Sequence, residues 1–454
     1  MQKHSQSMLR GPLLPSVISY TIPLILTGLL QLLFNAADLV VVGRFCGSVS
    51  VAAVGATGAI TNLVINLFIG FSVGAGVTVA HGMGAREEEA VHRTVHTALP
   101  TAIVGGLLLT AIGVLFAEDL LVMMGTPESV LPLSALYMRI YFGGMVFNMV
   151  YNFVASILRA VGDTKSPLTF LSLAGVVNVG LNVVFVTVFH MNVAGVALAT
   201  TTSQAISAIL VTLTLMRRKD ACRLYLRKMR FYKVQLLKIV RIGLPAGLQS
   251  SLFSISNVMI QSSINSFGET VMSGNAAAGN LEGFVYVIMN SFHQTAVNFV
   301  GQNVGARQYD RVKKTLYVCL GCVTVLGLSS SLLVYSFAPQ LLSIYITDSA
   351  DAIASGVTRM SVVCLTYCLC GLMDTTTGAL RGMGASMTPM IISVLGVCGI
   401  RLGWIFTIFQ IPQFHTPWWL YISYPASWLA TFAAQFFAFQ KLYRQRLRML
   451  NGAP

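Results

Sequence analysis

Charge is scarce in this sequence. Only 10% of the residues are Asp, Glu, Lys or Arg, against about 25% in an ordinary soluble domain. With 55% hydrophobic residues and a mean hydropathy of +0.74, a soluble globular protein is excluded. No Gly-x-x-x-x-Gly-Lys-Ser/Thr sequence occurs, so no nucleotide-binding loop of that type is built in. No Ser–His–Asp order or carboxylate pair stands at a solvent-exposed position, and neither an enzyme nor a bound cofactor is expected. The eight cysteines form no metal or disulfide framework. Cys319 and Cys322 sit inside one apolar run, and Cys364, Cys368 and Cys370 inside another, without the hydrogen-bonding neighbours a zinc site needs. They read as buried thiols. The first ten residues are polar and the first apolar run is too long for a signal peptide, so no cleavable signal is expected.

What the chain does have is apolar length. Runs able to cross roughly 30 Å of hydrocarbon recur at about 13–44, 50–81, 94–117, 131–158, 167–189, 194–216, 236–267, 271–300, 315–338, 353–380, 389–410 and 418–441. The sequence predicts an all-α integral membrane protein with twelve transmembrane helices. The net charge of +14 is distributed to match. Of 29 Lys and Arg, 25 fall in the two tails and the even-to-odd connections, from Lys3 and Arg10 to Lys441, Arg444, Arg446 and Arg448. The other connections carry Glu118, Asp119, Glu128, Glu269, Asp348 and Asp351. Positive charge on alternate connections places both termini in the cytoplasm. A nucleic-acid surface would not alternate in this way, and no nucleic-acid partner is expected.

The chain also repeats itself. Ile22-Pro23 corresponds to Leu244-Pro245. Gly84-Ala85-Arg86, with Val91 and Thr94, corresponds to Gly305-Ala306-Arg307, with Val312 and Thr315. Leu158-Arg159-Ala160-Val161-Gly162, with Pro167, corresponds to Leu380-Arg381-Gly382-Met383-Gly384, with Pro389. Six spans is an even number, so the two halves enter the membrane in the same sense as parallel repeats. The predicted organisation is a six-helix lobe over 1–216, a basic cytoplasmic linker over 217–235 that is partly helical, and a second six-helix lobe over 236–454. Pro23 and Pro245 lie inside the first span of each half, where each frees a carbonyl and bends its helix. The small residues from Gly70 to Gly76 read as a packing stripe.

Three of the 15 acidic residues lie well inside spans: Asp38, Glu282 and Asp374. A charged side chain there costs about 2.5–3.5 kcal/mol on insertion scales, so it faces a partner or a cavity. Asp38 lies six residues before Arg44, Asn182 eight before His190, and Thr200 eight after Asn192. At about 1.5 Å per residue all three sit roughly 9–12 Å below the outer surface. Asn178 is one turn deeper than Asn182 on the same face. These oxygens suit a proton or a small hard cation. In the second half Glu282, Tyr286, Met289 and His293 share one helix face, arranged either as a proton relay or as separate interhelix hydrogen bonds. Arg401 lies near mid-membrane, and Asp374 or Glu282 is its expected partner; a substrate anchor is the alternative.

These residues resemble the multidrug and toxic compound extrusion family. The resemblance rests on the two six-span halves, on Pro23 followed by Asn35-Ala36-Ala37-Asp38-Leu39-Val40-Val41-Val42-Gly43-Arg44, and on Gly84-Ala85-Arg86. It rests also on Leu158-Arg159-Ala160-Val161-Gly162-Asp163 and Gln302-Asn303-Val304-Gly305-Ala306-Arg307. It implies two lobes that alternate between inward and outward openings, and antiport of H⁺ or Na⁺ against organic, often cationic, compounds. It implies a first-lobe cation site at Asp38, Asn178 and Thr200, with Asn182 standing where the family's best-known members carry a second Asp. Family members that couple through the second lobe place a Glu on span seven, and span seven here has no acid. Asp374 lies about one turn from the family's span-ten Asp. A flippase for a lipid-linked or anionic substrate on a related fold is the alternative. It would call for several cavity arginines, and only Arg139, Arg359 and Arg401 lie in or near spans away from the cytoplasmic ends. The expected setting is the plasma membrane, with lipid and small organic substrates as partners of a monomer.

Overall fold

A computed structural model describes residues 8–347 and 349–450. Lys3 and Asp348, both used in the charge pattern, lie outside the described residues. In hydrocarbon a backbone must satisfy its own polar groups, and a helix does so within one segment. The first six spans are Leu13–Phe45, Ser48–Ala85, Glu88–Leu115, the pair Leu131–Gly143 and Met145–Ala160, Lys165–Val183, and Asn192–Arg217. The second six are Lys233–Asn265, Glu269–Gly305, Tyr309–Ser336, the pair Ala350–Val362 and Tyr367–Gly382, the continuous run from Met387 to Phe406, and Pro417–Leu450. Among the described residues seven helices are long and apolar enough to cross a membrane unbroken, and two more spans are pairs bent by 47° and 48°. Spans seven, eight and twelve are 33, 37 and 34 residues long and more polar.

The repeat seen in sequence recurs in backbone detail. Gly162 and Gly384 take left-handed conformations, with φ of 92° and 83°, at the ends of spans four and ten. The capping bonds match: Asp163 N–H donates to Leu158 O at 2.8 Å, and Ala385 N–H to Leu380 O at 3.0 Å. After spans two and eight the left-handed residue is an arginine, Arg86 at 58° and Arg307 at 56°. Spans five and eleven each widen into π-helical turns, Val184–Val188 and Val394–Gly399. Such bulges are uncommon and gather at functional sites.

The chain forms two compact units, one of residues 22–251 and one of residues 8–21 with 252–450. The division therefore falls inside spans one and seven rather than in the basic linker. Close packing accounts for the assignment of span seven's start to the first unit. Gly70 and Gly74 of span two lie against Gly243 and Gly247, so near that a Cβ at any of the four would collide with backbone. The linker is partly helical, with a 3-10 turn at Leu226–Lys228 and the span-seven helix beginning at Lys233. Its backbone is tied to span three. Tyr225 N–H donates to His96 Nε2 at 3.0 Å, Arg230 N–H to His96 O at 3.2 Å, and Tyr232 N–H to Thr97 Oγ1 at 3.2 Å. Cys222 is fully buried beneath it, and burial pushes its thiol pKa up.

Candidate functional site

In the first unit the structure brings Asp38, Asn178, Asn182 and Thr200 together. Asn182 donates through Nδ2 to Asp38 Oδ1 and, at 2.6 Å, to Asn178 Oδ1. Thr200 Oγ1 lies 3.4 Å from Asp38 Oδ2 and 3.0 Å from the Val196 carbonyl. Asn178 Nδ2 donates to Ser203 Oγ at 3.3 Å. Asn178 and Asn182 are buried, while Asp38 and Thr200 are half-buried. None of the ion pairs among the described residues involves Asp38. A hydrogen bond to a charged group contributes about 1.5–3 kcal/mol, so these bonds offset burial of the carboxylate without neutralising it. Asn182 Oδ1 is sealed and has no donor. The centre thus combines a net negative charge with an unspent buried oxygen, which is what a proton or a small cation would occupy.

The sequence missed part of this centre. Tyr137 and Tyr141 of span four stack on each other at 6.0 Å and lie within electrostatic reach of Asp38. Tyr137 and Tyr141 are one turn apart in an apolar span, and Tyr is ambiguous there between packing and polar use.

The second unit differs from expectation in its pairing. Glu282 pairs with Arg359, not with Arg401. Arg359 Nε lies 3.1 Å from Glu282 Oε1 and Nη2 2.7 Å from Oε2, while Nη1 donates to Asn275 Oδ1 at 2.6 Å. Asn275 in turn donates to Gln261 Oε1 at 3.1 Å. Tyr421 and Tyr424 cover the guanidinium at 5.6 and 5.4 Å. Each guanidinium nitrogen of Arg359 has an acceptor, and Glu282 is locked. Arg401 has no carboxylate partner among the described residues, which corrects the ion pair expected for it. Its Nε donates to Ser427 Oγ at 3.0 Å and its Nη1 to Asn257 Oδ1 at 3.3 Å, with Tyr424 and Trp428 at 4.2 and 5.7 Å. Aromatic faces replace a carboxylate here.

Of the two arrangements open for Glu282 and His293, the structure has separate bonds. His293 Nδ1 meets the Asp374 carbonyl at 2.7 Å, so Nδ1 carries the proton and Nε2 accepts from Arg381 Nη1 at 3.4 Å. Asp374 meets His293 through its backbone. Its carboxylate lies in the field of Arg381 and Tyr286. Arg139, the third arginine weighed for a flippase, is exposed and paired with Glu118 at 3.0 Å.

The sequence matches the MatE family over residues 23–184 and again over 245–406, the two halves just described. The chain belongs to the MatE family. Each match begins at one of the paired prolines, and the two are separated by 222 residues. The chain is 26% identical to the "Probable multidrug resistance protein YoeA" of Bacillus subtilis, over 95% of this chain and 94% of that protein. It is 27% identical to the "Probable multidrug resistance protein YpnP" of the same organism, over 86% of this chain and 87% of that one. A solved structure of a MOP superfamily transporter from Pyrococcus furiosus shares its fold, with a TM-score of 0.91 at 20% identity, covering 98% of both chains. This MatE protein is therefore a multi-pass membrane transporter with twelve helical spans.

Proposed function

We propose that the protein exports organic, cationic amphipathic compounds across the plasma membrane in exchange for H⁺ or Na⁺, with the coupling ion taken up at Asp38. Both termini are on the cytoplasmic side in this reading, and the protein works as a monomer in lipid. The observation that carries it is the first-unit centre, a carboxylate in a span with no cationic side chain paired to it among the described residues. The names of YoeA and YpnP support multidrug export. Antiport requires that ion and cargo favour opposite states of one equilibrium. Asp38 supplies the means on the ion side. As an anion it accepts from Asn182 and Thr200. Once protonated it becomes a donor, and the unspent Oδ1 of Asn182 is an acceptor for that proton after the amide turns. Na⁺ would instead gather the oxygens of Asp38, Asn178, Asn182 and Thr200.

The test is ethidium efflux from proteoliposomes with a proton gradient and a sodium gradient imposed separately. Efflux driven by the proton gradient alone assigns coupling to a proton on Asp38. Efflux that requires Na⁺ assigns it to the oxygen cluster. A protein that moves ethidium under neither gradient overturns the reading.

A further inference from the structure

Span twelve turns from aromatic to basic along one face as it nears its C-terminal end. Phe437, Lys441, Arg444 and Arg448 follow one another at intervals of four, three and four residues, which keeps them on one side of a helix. With Phe432 and Phe436 they line a groove of about 740 Å³, a size within the roughly 300–1,000 Å³ of small-molecule sites. Span nine flanks this groove within the same unit. Gln440 Nε2, part of the groove wall, donates to Tyr317 Oη at 3.0 Å, and the Tyr317 ring meets Phe436 edge-on at 6.2 Å. Lys313 Nζ lies 6.0 Å from the same tyrosine ring and adds a positive charge from span nine.

The groove has two unlike ends. At one, Phe437 is 72% exposed and Phe432 and Phe436 are half-buried, a surface suited to hydrocarbon. At the other, Lys441, Arg444 and Arg448 are exposed, and none forms an ion pair among the described residues. Like charges one helical turn apart repel. Span twelve holds no Asp or Glu to offset them, and no acid follows Asp374 anywhere in the sequence. Asp310 of span nine lies near Tyr443, a buried residue outside the groove. A soluble anion would satisfy the cations and leave the phenylalanines wet. A zwitterionic lipid would cover the phenylalanines and bring one more cation to the basic end. An acidic phospholipid suits both ends at once. We propose that this groove binds an acidic phospholipid, its phosphate among Lys441, Arg444 and Arg448 and an acyl chain along Phe432, Phe436 and Phe437. The site shares no residue with the polar centre of either unit, and it stands or falls apart from the export reading.

The test compares phosphatidylglycerol with phosphatidylcholine of the same acyl chains. Each is titrated onto the purified full chain in detergent, and binding is read by native mass spectrometry and by the melting temperature. Each basic residue beside an anionic lipid contributes about fivefold, so wild type binds phosphatidylglycerol the more tightly by about tenfold or more. The triple change Lys441→Gln, Arg444→Gln and Arg448→Gln loses that preference and keeps the affinity for phosphatidylcholine. The triple change Arg217→Gln, Lys219→Gln and Arg227→Gln, at exposed linker residues of the first unit, leaves the preference as it was. Equal binding of the two lipids by wild type, absence of binding for both, or a preference that survives the span-twelve change overturns the proposal. An equal loss in the linker variant overturns it too, because the preference is then a bulk charge effect. Glycerol phosphate alone is the soluble control, and a melting shift as large as that from phosphatidylglycerol counts against a lipid. Should the span-twelve triple variant fail to fold, Arg444→Gln is read instead. A loss of preference of about fivefold upholds the site, and an unchanged preference overturns it.

Discussion

The two units share a repeat but carry opposite charge at its polar centre. In the first, Asp38 stands without a cation among amides and a hydroxyl. In the second, Arg359 and Arg401 stand with Glu282, and Arg381 with Asp374. The positions themselves are related. Tyr137, near Asp38, is separated by 222 residues from Arg359, and Asn35 by the same interval from Asn257, while the counterpart of Asp38 is Ile260. Duplication conserved the place of the polar centre and its helical bulges, not its chemistry. A lone carboxylate changes charge when it takes a proton or a cation. A carboxylate locked by a guanidinium does not. In the proposed reading the first unit carries coupling, while the second contributes structural cohesion through its buried ion pair.

The sharpest way to break this contrast is Asp38→Asn. Asparagine keeps the size and one acceptor but removes the titratable charge, so gradient-driven ethidium efflux should fall to background, about 100-fold or more, an activation difference of about 2.7 kcal/mol or greater. The melting temperature in detergent should hold, since no ion pair is lost. Efflux at the wild-type rate, at equal expression, would sink the assignment of coupling to the first unit.

The second unit should respond in the opposite sense, with stability lost first. Truncating one partner of a buried ion pair leaves the other uncompensated, which costs about 3–5 kcal/mol. Arg359→Met is expected to cost this much in detergent unfolding. The double change Arg359→Met with Glu282→Leu should recover more than half of it, because both charges then disappear together. A double variant as unstable as the single one would show that packing, not charge, holds spans eight and ten together there.

Asn182→Asp tests whether the first centre is set by its count of carboxylates. A second negative charge beside Asp38 should strengthen Na⁺ binding about tenfold, or about 1.4 kcal/mol, and shift efflux toward dependence on the sodium gradient. Isothermal titration of Na⁺, together with efflux under each gradient, reads both changes. Unchanged Na⁺ affinity would mean that the oxygens do not converge on one ion.

Much of this was legible in the sequence because depth in a helix is countable. Asp38, Asn182 and Thr200 lie at similar distances from their helix ends, and the structure joins all three. The twelve spans followed from apolar length, which a membrane enforces more strictly than a soluble core does. Rotation and partner choice were not legible. Glu282 could be placed on a face, but Arg359 lay six residues inside the expected tenth span and was not weighed as its partner. Arg401 was given a carboxylate on the rule that buried charges pair, and it is instead covered by Tyr424 and Trp428. Cation–π contacts have no signature in spacing, since aromatics are common throughout an apolar chain. The linker's attachment to span three was likewise hidden, because its partners His96 and Thr97 lie far away in sequence.

Thr200 offers the smallest and most discriminating change. Its hydroxyl has one proton and two acceptors within reach, the Val196 carbonyl at 3.0 Å and Asp38 at 3.4 Å. The nearer acceptor is the better placed, so Asp38 receives at most a shared bond. Removing it by Thr200→Ala should cost about 0.5–1 kcal/mol, or about threefold in efflux, and Thr200→Ser should restore most of that. If Na⁺ is the coupling ion, the same oxygen is a ligand and not only a donor. Thr200→Ala then weakens Na⁺ affinity well beyond threefold while proton-driven efflux is barely touched. The ratio of the two effects, measured in one set of proteoliposomes, separates a hydroxyl that steadies a carboxylate from one that holds the ion.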